Sequence, residues 1–487
     1  MAELPDYVRE RVEAITSVLM LEHPGDEQLA AAAGYCEELL RADRENAGAI
    51  FLIATVYLKA GKHGLAENLY MRALQLAPDM PEIYNNLGSI YQLEGRTAEA
   101  LEAFSKTQEL DPDNNEALGN LASVYVNNHT PDKAIELADR LLEREPDNND
   151  AIWNRGLAYL EKGMWDEGWK AYRHGLNLRG TASGVRKYRD YGGLPYWDGT
   201  PDQTVIVYGE QGVGDEILGY SMLPDLIAHG VRPILETHPR LVNIARNSFD
   251  EAFPIYGTRK GEESEITWPK WHNADARIPI IGLAEYFRGG NMADWPERKP
   301  YLKPDIANKE RIRRQFDERP VVGISWAGGT LPTRADLRSL SMPQIHPLLA
   351  EFQDRINWVS LQYDPAEQMG FYAPLVAGFT KDTGVNLAHD STLINDLDIC
   401  YPALLPACDL VISVNTSVVH ACGAFGVPCW ALTPWRAAWR YQLEGNHMPW
   451  YGDHVEVMRQ DETESWTPVL NRVKQYLSDW LWELDQC

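Results

Sequence analysis

The chain has 487 residues, more than one hydrophobic core can organise, and its 44% hydrophobic and 24% charged content is that of a globular protein with several domains. Lys and Arg number 45 against 71 Asp and Glu, and the formal charge of −26 disfavours broad binding to nucleic acid or an anionic membrane while leaving room for a local basic pocket. No apolar run has the length of a membrane span, the acidic start Met1-Ala2-Glu3-Leu4-Pro5-Asp6 lacks a signal-peptide core, and the six cysteines (Cys36, Cys400, Cys408, Cys422, Cys429, Cys487) form no CxxC, so a cytoplasmic protein with reduced cysteines is expected.

The first third repeats. Pro78, Pro112 and Pro146 lie 34 residues apart, each followed by Asp, and Tyr57, Tyr91, Tyr125 and Tyr159 keep the interval. Small residues fill two further columns (Ala54, Gly88, Ala122, Gly156 and Ala66, Ala100, Ala134, Gly168), and a fourth holds Tyr70, Phe104, Ala138 and Tyr172. Small residues let paired helices approach, aromatics fill the hollow of the next unit, and proline ends the second helix. This pattern resembles the tetratricopeptide repeat, and it implies an α-solenoid over 46–180. Residues 1–45 are expected to cap it with a degenerate helical pair, in which Ala32 keeps its column and Arg44 replaces the proline. Asn86, Asn120 and Asn154, with Asn85 beside them, recur on the first helix of successive repeats. They are candidates for gripping the backbone of a bound protein or peptide through their amides. The alternative is that asparagine merely sits on a solvated helix face.

Residues 181–203 are rich in Gly and Pro and read as a boundary segment that Tyr188, Tyr191, Tyr196 and Trp197 dock. Short apolar strands then alternate with helices: 204–208, 233–236, 253–257 and 276–280 in one lobe (204–304), and 321–326, 356–362, 409–415, 427–432 and 454–458 in a second (305–475). Two such series predict two doubly wound parallel sheets whose strand carboxyl ends share a cleft. The run from Trp466 to Leu484 is an amphipathic closing helix, with 476–487 as its end and tail.

Three strand ends carry candidate chemistry. Val205-Ile-Val-Tyr208 leads into Gly209, Gly212 and Gly214 and then Asp215, a strand–glycine–helix unit whose GxxGxG spacing is not the dinucleotide fingerprint. An acid at that helix start repels a pyrophosphate, so the unit offers a carboxylate; alternatively Asp215 is simply an N-terminal helix acid. Asp409-Leu-Val-Ile-Ser-Val runs into Asn415, Thr416 and Ser417 and a helix bearing His420, where free N–H groups favour an anion, or where Thr416 or Ser417 is only an N-cap. Val321-Val-Gly-Ile-Ser-Trp326-Ala-Gly328-Gly329-Thr330 precedes Arg334, Arg338 and Ser339, and arginine forks match phosphate oxygens.

Together, Tyr-Gly-Glu-Gln-Gly-Val-Gly-Asp215, Ser-Trp326-Ala-Gly328 with Arg338-Ser339, Trp358-Val-Ser-Leu-Gln362 and Val414-Asn-Thr-Ser-Val-Val-His420 resemble the C-terminal region of bacterial tetratricopeptide-repeat glycosyltransferases, a heptosyltransferase-like region. The layout is also similar to the protein O-GlcNAc transferases. The resemblance implies a GT-B fold of two Rossmann-like lobes and metal-independent, inverting transfer from a nucleotide-sugar to a protein acceptor. It implies Asp215 as the general base, Arg338 with Thr416, Ser417 and His420 at the donor diphosphate, Gln362 at the ribose or base, and Trp326 at the cleft mouth. Asn415 stands where the family usually carries Asp. No cofactor beyond the nucleotide-sugar substrate and no metal are expected: the twelve histidines show no ligand spacing, and Asp396-Leu-Asp398 is read as lying within a helix. Trp435, Arg436, Trp439 and Arg440 either stack on a nucleotide or sugar or pack their loop. The alternatives to a protein glycosyltransferase are a repeat scaffold with a degraded transferase half and a polysaccharide or lipopolysaccharide transferase.

Overall fold

A computed structural model describes residues 6–21, 24–177, 191–250, 252–257, 273–328, 335–364, 368–435 and 437–486. Of the residues singled out above, Met1–Pro5, Tyr188, Gly329, Thr330, Arg334, Arg436 and Cys487 lie outside this set.

The period of the sequence is the period of the helices. First helices begin at Ala47, Pro81, Asn115 and Asn149, and second helices at His63, Thr97, Pro131 and Trp165. The cap is the helical pair Asp6–Leu19 and Asp26–Ala42. The small-residue columns are buried: Ala54, Ala66, Ala100, Ala122 and Ala134 have no exposed surface, and neither do Tyr70 and Phe104. A Cβ placed on Gly88 would lie 2.7 Å from the Phe104 ring, so the glycine sets how closely that pair of helices packs. Gly88→Ala is expected to cost about 1–3 kcal/mol by overpacking. Circular dichroism of chemical denaturation should show the loss, with partial recovery in Gly88→Ala/Phe104→Leu; an unchanged midpoint for the single variant would contradict the packing.

A second asparagine column, missed from the sequence, caps first helices: Asn46, Asn114 and Asn148 accept from the N–H of Ala49, Ala117 and Ala151, each at 2.9 Å. The predicted groove asparagines are engaged inside the array. Asn86 Nδ2 donates to the Tyr70 hydroxyl at 2.9 Å and Asn120 Nδ2 to Asn85 Oδ1 at 3.1 Å, while Asn85 Nδ2 donates to Glu116 at 2.9 Å and Asn154 is buried.

By packing, the chain divides within the helix Asn149–Glu161: one compact unit ends at Ala158 and the other begins at Tyr159. The last repeat helix, Trp165–Tyr172, therefore belongs with the α/β unit rather than with the array that the sequence runs on to residue 180. The reason is its cargo of aromatics. Trp169 contacts Trp439 at 5.2 Å and Trp450 at 6.1 Å, and Trp165 contacts Trp295 at 5.0 Å. Trp169 Nε1 donates to Arg288 O and Gly290 N to Asp166 Oδ1, at 2.8 and 2.9 Å. The described part of the boundary segment docks as expected: Trp197 is fully buried, and the Tyr191 hydroxyl donates to Glu236 at 2.7 Å.

The α/β unit holds two sheets. β1 (Thr204–Tyr208), β2 (Arg232–Thr237), β3 (Ile255–Gly257) and β4 (Ala276–Pro279) form a parallel sheet in the order β3-β2-β1-β4. β5 (Val321–Ser325), β6 (Asn357–Ser360), β7 (Leu387–Ala388), β8 (Leu410–Val414), β9 (Cys429–Thr433), β10 (His447–Met448) and β11 (Gly452–Arg459) form the other, in the order β10-β11-β9-β8-β5-β6-β7. Both follow the doubly wound rule, with the order reversing beside the first strand of each sheet. The two-residue edge strands β7 and β10 were not legible, and β10 is antiparallel, so the second sheet is mixed rather than purely parallel. The terminal helix Trp466–Gln486 is one element. It buries Val469, Val473, Leu477 and Leu481 in the core of the second sheet.

Candidate functional site

Ligands of doubly wound sheets bind beyond the strand carboxyl ends, where the strand order reverses. Those places are the loop after β1 in the first sheet and the loops after β5 and β8 in the second. Each site residue predicted for the α/β unit stands on one of them or on a segment packed against it.

After β1, Gly209 and Gly214 serve packing, and Gly212 opens a helix. A Cβ on Gly209 would come within 2.3 Å of the Glu216 carboxyl; Glu216 lies buried beneath the loop, accepting from Thr237 Oγ1 at 2.6 Å and His238 N at 2.8 Å. Gly212 N donates to Asp215 Oδ2 at 3.2 Å and opens the helix Val213–Tyr220. At Gly214 a Cβ would meet the His420 ring at 2.8 Å and the Ser417 Cα at 3.3 Å. The glycine thus lets this helix lie against Ser417–Phe425 of the other sheet.

Asp215, at the start of that helix, pairs with Arg440 across the two sheets, with 18% and 14% of the side chains exposed. Arg440 is fixed from three directions. It donates to Gln211 Oε1 at 2.8 Å, lies 4.5 Å over the Trp439 ring and meets the Asp215 carboxylate. Gln211 Nε2 in turn donates to the Tyr172 hydroxyl at 2.5 Å, on the last repeat helix. The buried Arg440 Nε has no hydrogen-bond partner among the described residues. Arg338 stands nearby, its Nε donating to Gly328 O at 3.2 Å. Its pKa is lowered, chiefly by burial; Tyr441, Tyr363 and Asp215 pull the other way and Arg440 reinforces the fall. One guanidinium group thus pairs with the carboxylate at the amino end of a helix, and a second lies within range of its charge.

On the β8 side, Thr416 is the N-cap, its Oγ1 accepting from Val418 N at 3.3 Å, and its methyl fills the space that a Gly328 side chain would need. Ser417 Oγ accepts from the Tyr401 hydroxyl at 2.6 Å. Asn415 Oδ1 accepts from Thr433 Oγ1 at 3.1 Å, a bond that a carboxylate would accept equally. His420 is buried with Nδ1 3.1 Å from the Tyr451 hydroxyl. Burial brings its pKa down to about 4, with Asp215 opposing and Arg440 adding to the fall, so the ring is uncharged at neutral pH.

Three expectations are corrected. Gln362 does not face a ligand: it is 2% exposed, its Oε1 accepts from Trp326 N at 3.1 Å and Ala327 N at 2.9 Å, and its Nε2 donates to Ala327 O at 2.8 Å. It shapes the loop after β5. Trp326 is not at the cleft mouth; its ring is buried in the core of the second sheet, 5.8 Å from Tyr372. Asp396 is not within a helix but between Ser391–Asn395 and Leu397–Ile399, accepting from Asp398 N at 3.0 Å. Asp398 accepts from Asn243 Nδ2 at 2.6 Å. Of the basic–aromatic cluster, Trp439 packs its loop against Trp169, while Arg440 turns to Asp215. Among the described residues no three His, Cys, Asp or Glu side chains converge as metal ligands, and no helix is long and apolar enough to cross a membrane.

A cavity of about 530 Å³, unforeseen in the sequence, is lined by Arg240, Asp364, Ser391, Asn395 and Asp398, beyond the ends of β2, β6 and β7. Burial raises the Tyr363 pKa, and the charges of Arg338 and of Arg240, which lines this cavity, oppose the rise.

Comparison with known proteins bears on the repeats. Two family models described as tetratricopeptide repeat match residues 51–115 and 91–158. Residues 51–158 are tetratricopeptide repeats. The protein FlbA of Caulobacter vibrioides is 24% identical over 348 residues, 66% of this chain; the chain spans about half, 53%, of FlbA. Solved structures similar to part of the chain include MamA (22% identity, TM-score 0.30, 36% of this chain and 95% of MamA). YrrB, titled a TPR protein with an unusual peptide-binding site, has 19% identity and a TM-score of 0.30 over 36% of this chain and 86% of its own. PilW, titled a type IV pilus biogenesis factor, has 19% identity and a TM-score of 0.32 over 37% and 84%.

Proposed function

We propose that the α/β unit is a glycosyltransferase of the two-lobed GT-B kind, moving a sugar from a nucleotide-sugar to a hydroxyl of a protein or peptide bound by the repeats. The observation that carries this reading is the pairing of Asp215, from the helix after β1, with Arg440 from the other sheet, within reach of the charge of Arg338 and near the start of the helix Ser417–Phe425. In the proposed reaction the acceptor oxygen bonds to the anomeric carbon as the carbon–oxygen bond to the diphosphate breaks. The bonding pair leaves with the diphosphate, and the hydroxyl proton passes to Asp215. Charge gathers on the leaving group, where the two guanidinium groups and the free helix N–H groups meet it without a metal. His420, uncharged, would contribute hydrogen bonding only.

A thermal-shift screen with ADP-, UDP-, GDP-, dTDP- and CMP-linked sugars tests the proposal. One nucleotide class should raise the melting temperature by about 5 °C at a hundredfold excess over its Kd, and Arg338→Ala should abolish the rise. If no donor shifts the wild type or Asn415→Asp, the transferase reading fails. The chain would then be a scaffold acting through its repeats, the reading that Asn415 in place of the family's Asp favours.

A further inference from the structure

Arg440 neither stacks on an open face nor merely packs its loop. Its guanidinium meets the Asp215 carboxylate, the Gln211 amide oxygen and the face of Trp439, yet its buried Nε is left with no partner among the described residues. A buried N–H without an acceptor is costly, and such a group is met in sites that await a ligand. Arg338 lies close enough to feel both Arg440 and Asp215. One guanidinium group thus pairs with this carboxylate, a second lies within range of its charge, and the positive end of a helix of nine residues, Ser417–Phe425, packs against its own helix.

We propose that Arg440 is an anion-binding residue held in reserve by Asp215: the diphosphate of an entering ligand takes the place of the Asp215 carboxylate on Arg440 and thereby releases that carboxylate. The inference rests on the transferase reading and adds to it a residue and an order of events. A diphosphate brings more negative charge than one carboxylate and fits the planar guanidinium fork as well, so the two anions compete for the same donors. Side by side they repel, and the weaker competitor turns away. Gln211, braced by Tyr172, accepts from the same Nη2 of Arg440 that meets Asp215 and keeps that nitrogen in position during the exchange. The consequence concerns the base. A carboxylate whose lone pairs are spent on an arginine is a poor proton acceptor, whereas Asp215 released from Arg440 keeps, among the described residues, its bond from Gly212 N. The nucleotide-sugar must then enter before an acceptor hydroxyl can be activated.

The exchange is testable by binding alone. Isothermal titration calorimetry of the full chain, at one fixed ionic strength, would use inorganic pyrophosphate and ADP, UDP, GDP, dTDP and CDP as probes. Asp215→Asn is expected to bind the preferred probe at least about tenfold tighter than wild type, and Arg440→Gln at least about tenfold weaker. In the Arg440→Gln background the gain from Asp215→Asn should shrink to less than about threefold, the residue of simple charge removal. The double variant carries neither charge, so it leaves no unpaired buried ion and guards against misfolding, which a circular dichroism melt of each variant checks. Equal gains in both backgrounds, or no gain where the wild type binds a probe, would overturn the exchange while leaving the transferase reading intact. If wild type and every variant bind none of the probes, the transferase reading falls and the exchange falls with it.

Discussion

Trp169→Ala is expected to destabilise the α/β unit by about 3–5 kcal/mol while leaving the repeats before it at wild-type stability. Trp169 is 2% exposed and stands among Trp165, Tyr172, Trp439 and Trp450, with ring centroids between 5.2 and 6.1 Å from its own. Truncation removes those contacts, leaves a cavity in a rigid cluster and strips the Arg288 carbonyl of the indole donor at 2.8 Å. The chain divides into two packed units, so unfolding should show two transitions. The one read by tryptophan fluorescence should move to lower denaturant, and the one dominated by repeat helices should stay. Trp482→Ala, at a residue 63% exposed, is the control and should shift neither by more than about 0.5 kcal/mol. Indistinguishable unfolding of the two variants would refute the assignment of the last repeat helix to the α/β unit.

Stability should also fall as the pH is lowered from 6.5 towards 4, by about 3 kcal/mol in total from His420 alone. The folded ring takes a proton only near pH 4, because burial disfavours its charged form, whereas the unfolded chain takes one near 6.5. Between those values the unfolded state holds more protons, so acid favours unfolding. The contribution is complete above the upper value and gone below the lower one. Other groups titrate in the same range, so the measurement is the difference between wild type and His420→Gln in urea midpoints across that window. The wild type should lose ground to the variant as the pH falls, and parallel curves would show that His420 is not the group responsible.

The repeats were legible because their information is local and recurs. Every helix of the array starts in step with its column of prolines and small residues, and the aromatic columns are buried where the period places them. The strands were legible for a related reason: a fully buried strand is a continuous apolar run, and most of those named were found within a few residues. What failed were the two-residue edges, β7 and β10, since two residues carry no periodicity. At the candidate site the types were legible and the directions were not. Gln362 follows a buried strand just as a ligand-facing residue would, and only the fold of the loop after β5 over its amide decides that it faces inward. Thr416 reads equally as an anion donor or a cap, and the cap bond to Val418 is present.

By itself, then, the sequence determined a repeat solenoid followed by two alternating strand–helix series, and it pointed to Asp215, Arg338 and the start of the helix Ser417–Phe425 as places for chemistry. Tertiary structure alone decided which charges meet. Asp215 and Arg440 are far apart in the chain, on different sheets, and no spacing rule links them; they pair because Gly214 lets two helices lie close and because Gln211 and Trp439 leave the guanidinium one direction to point. Tertiary structure also decided that the last repeat helix belongs to the unit that follows it. Gly168 and Tyr172 keep the repeat columns, but Trp165 and Trp169, outside every column, are buried in an aromatic cluster with Trp295, Trp439 and Trp450.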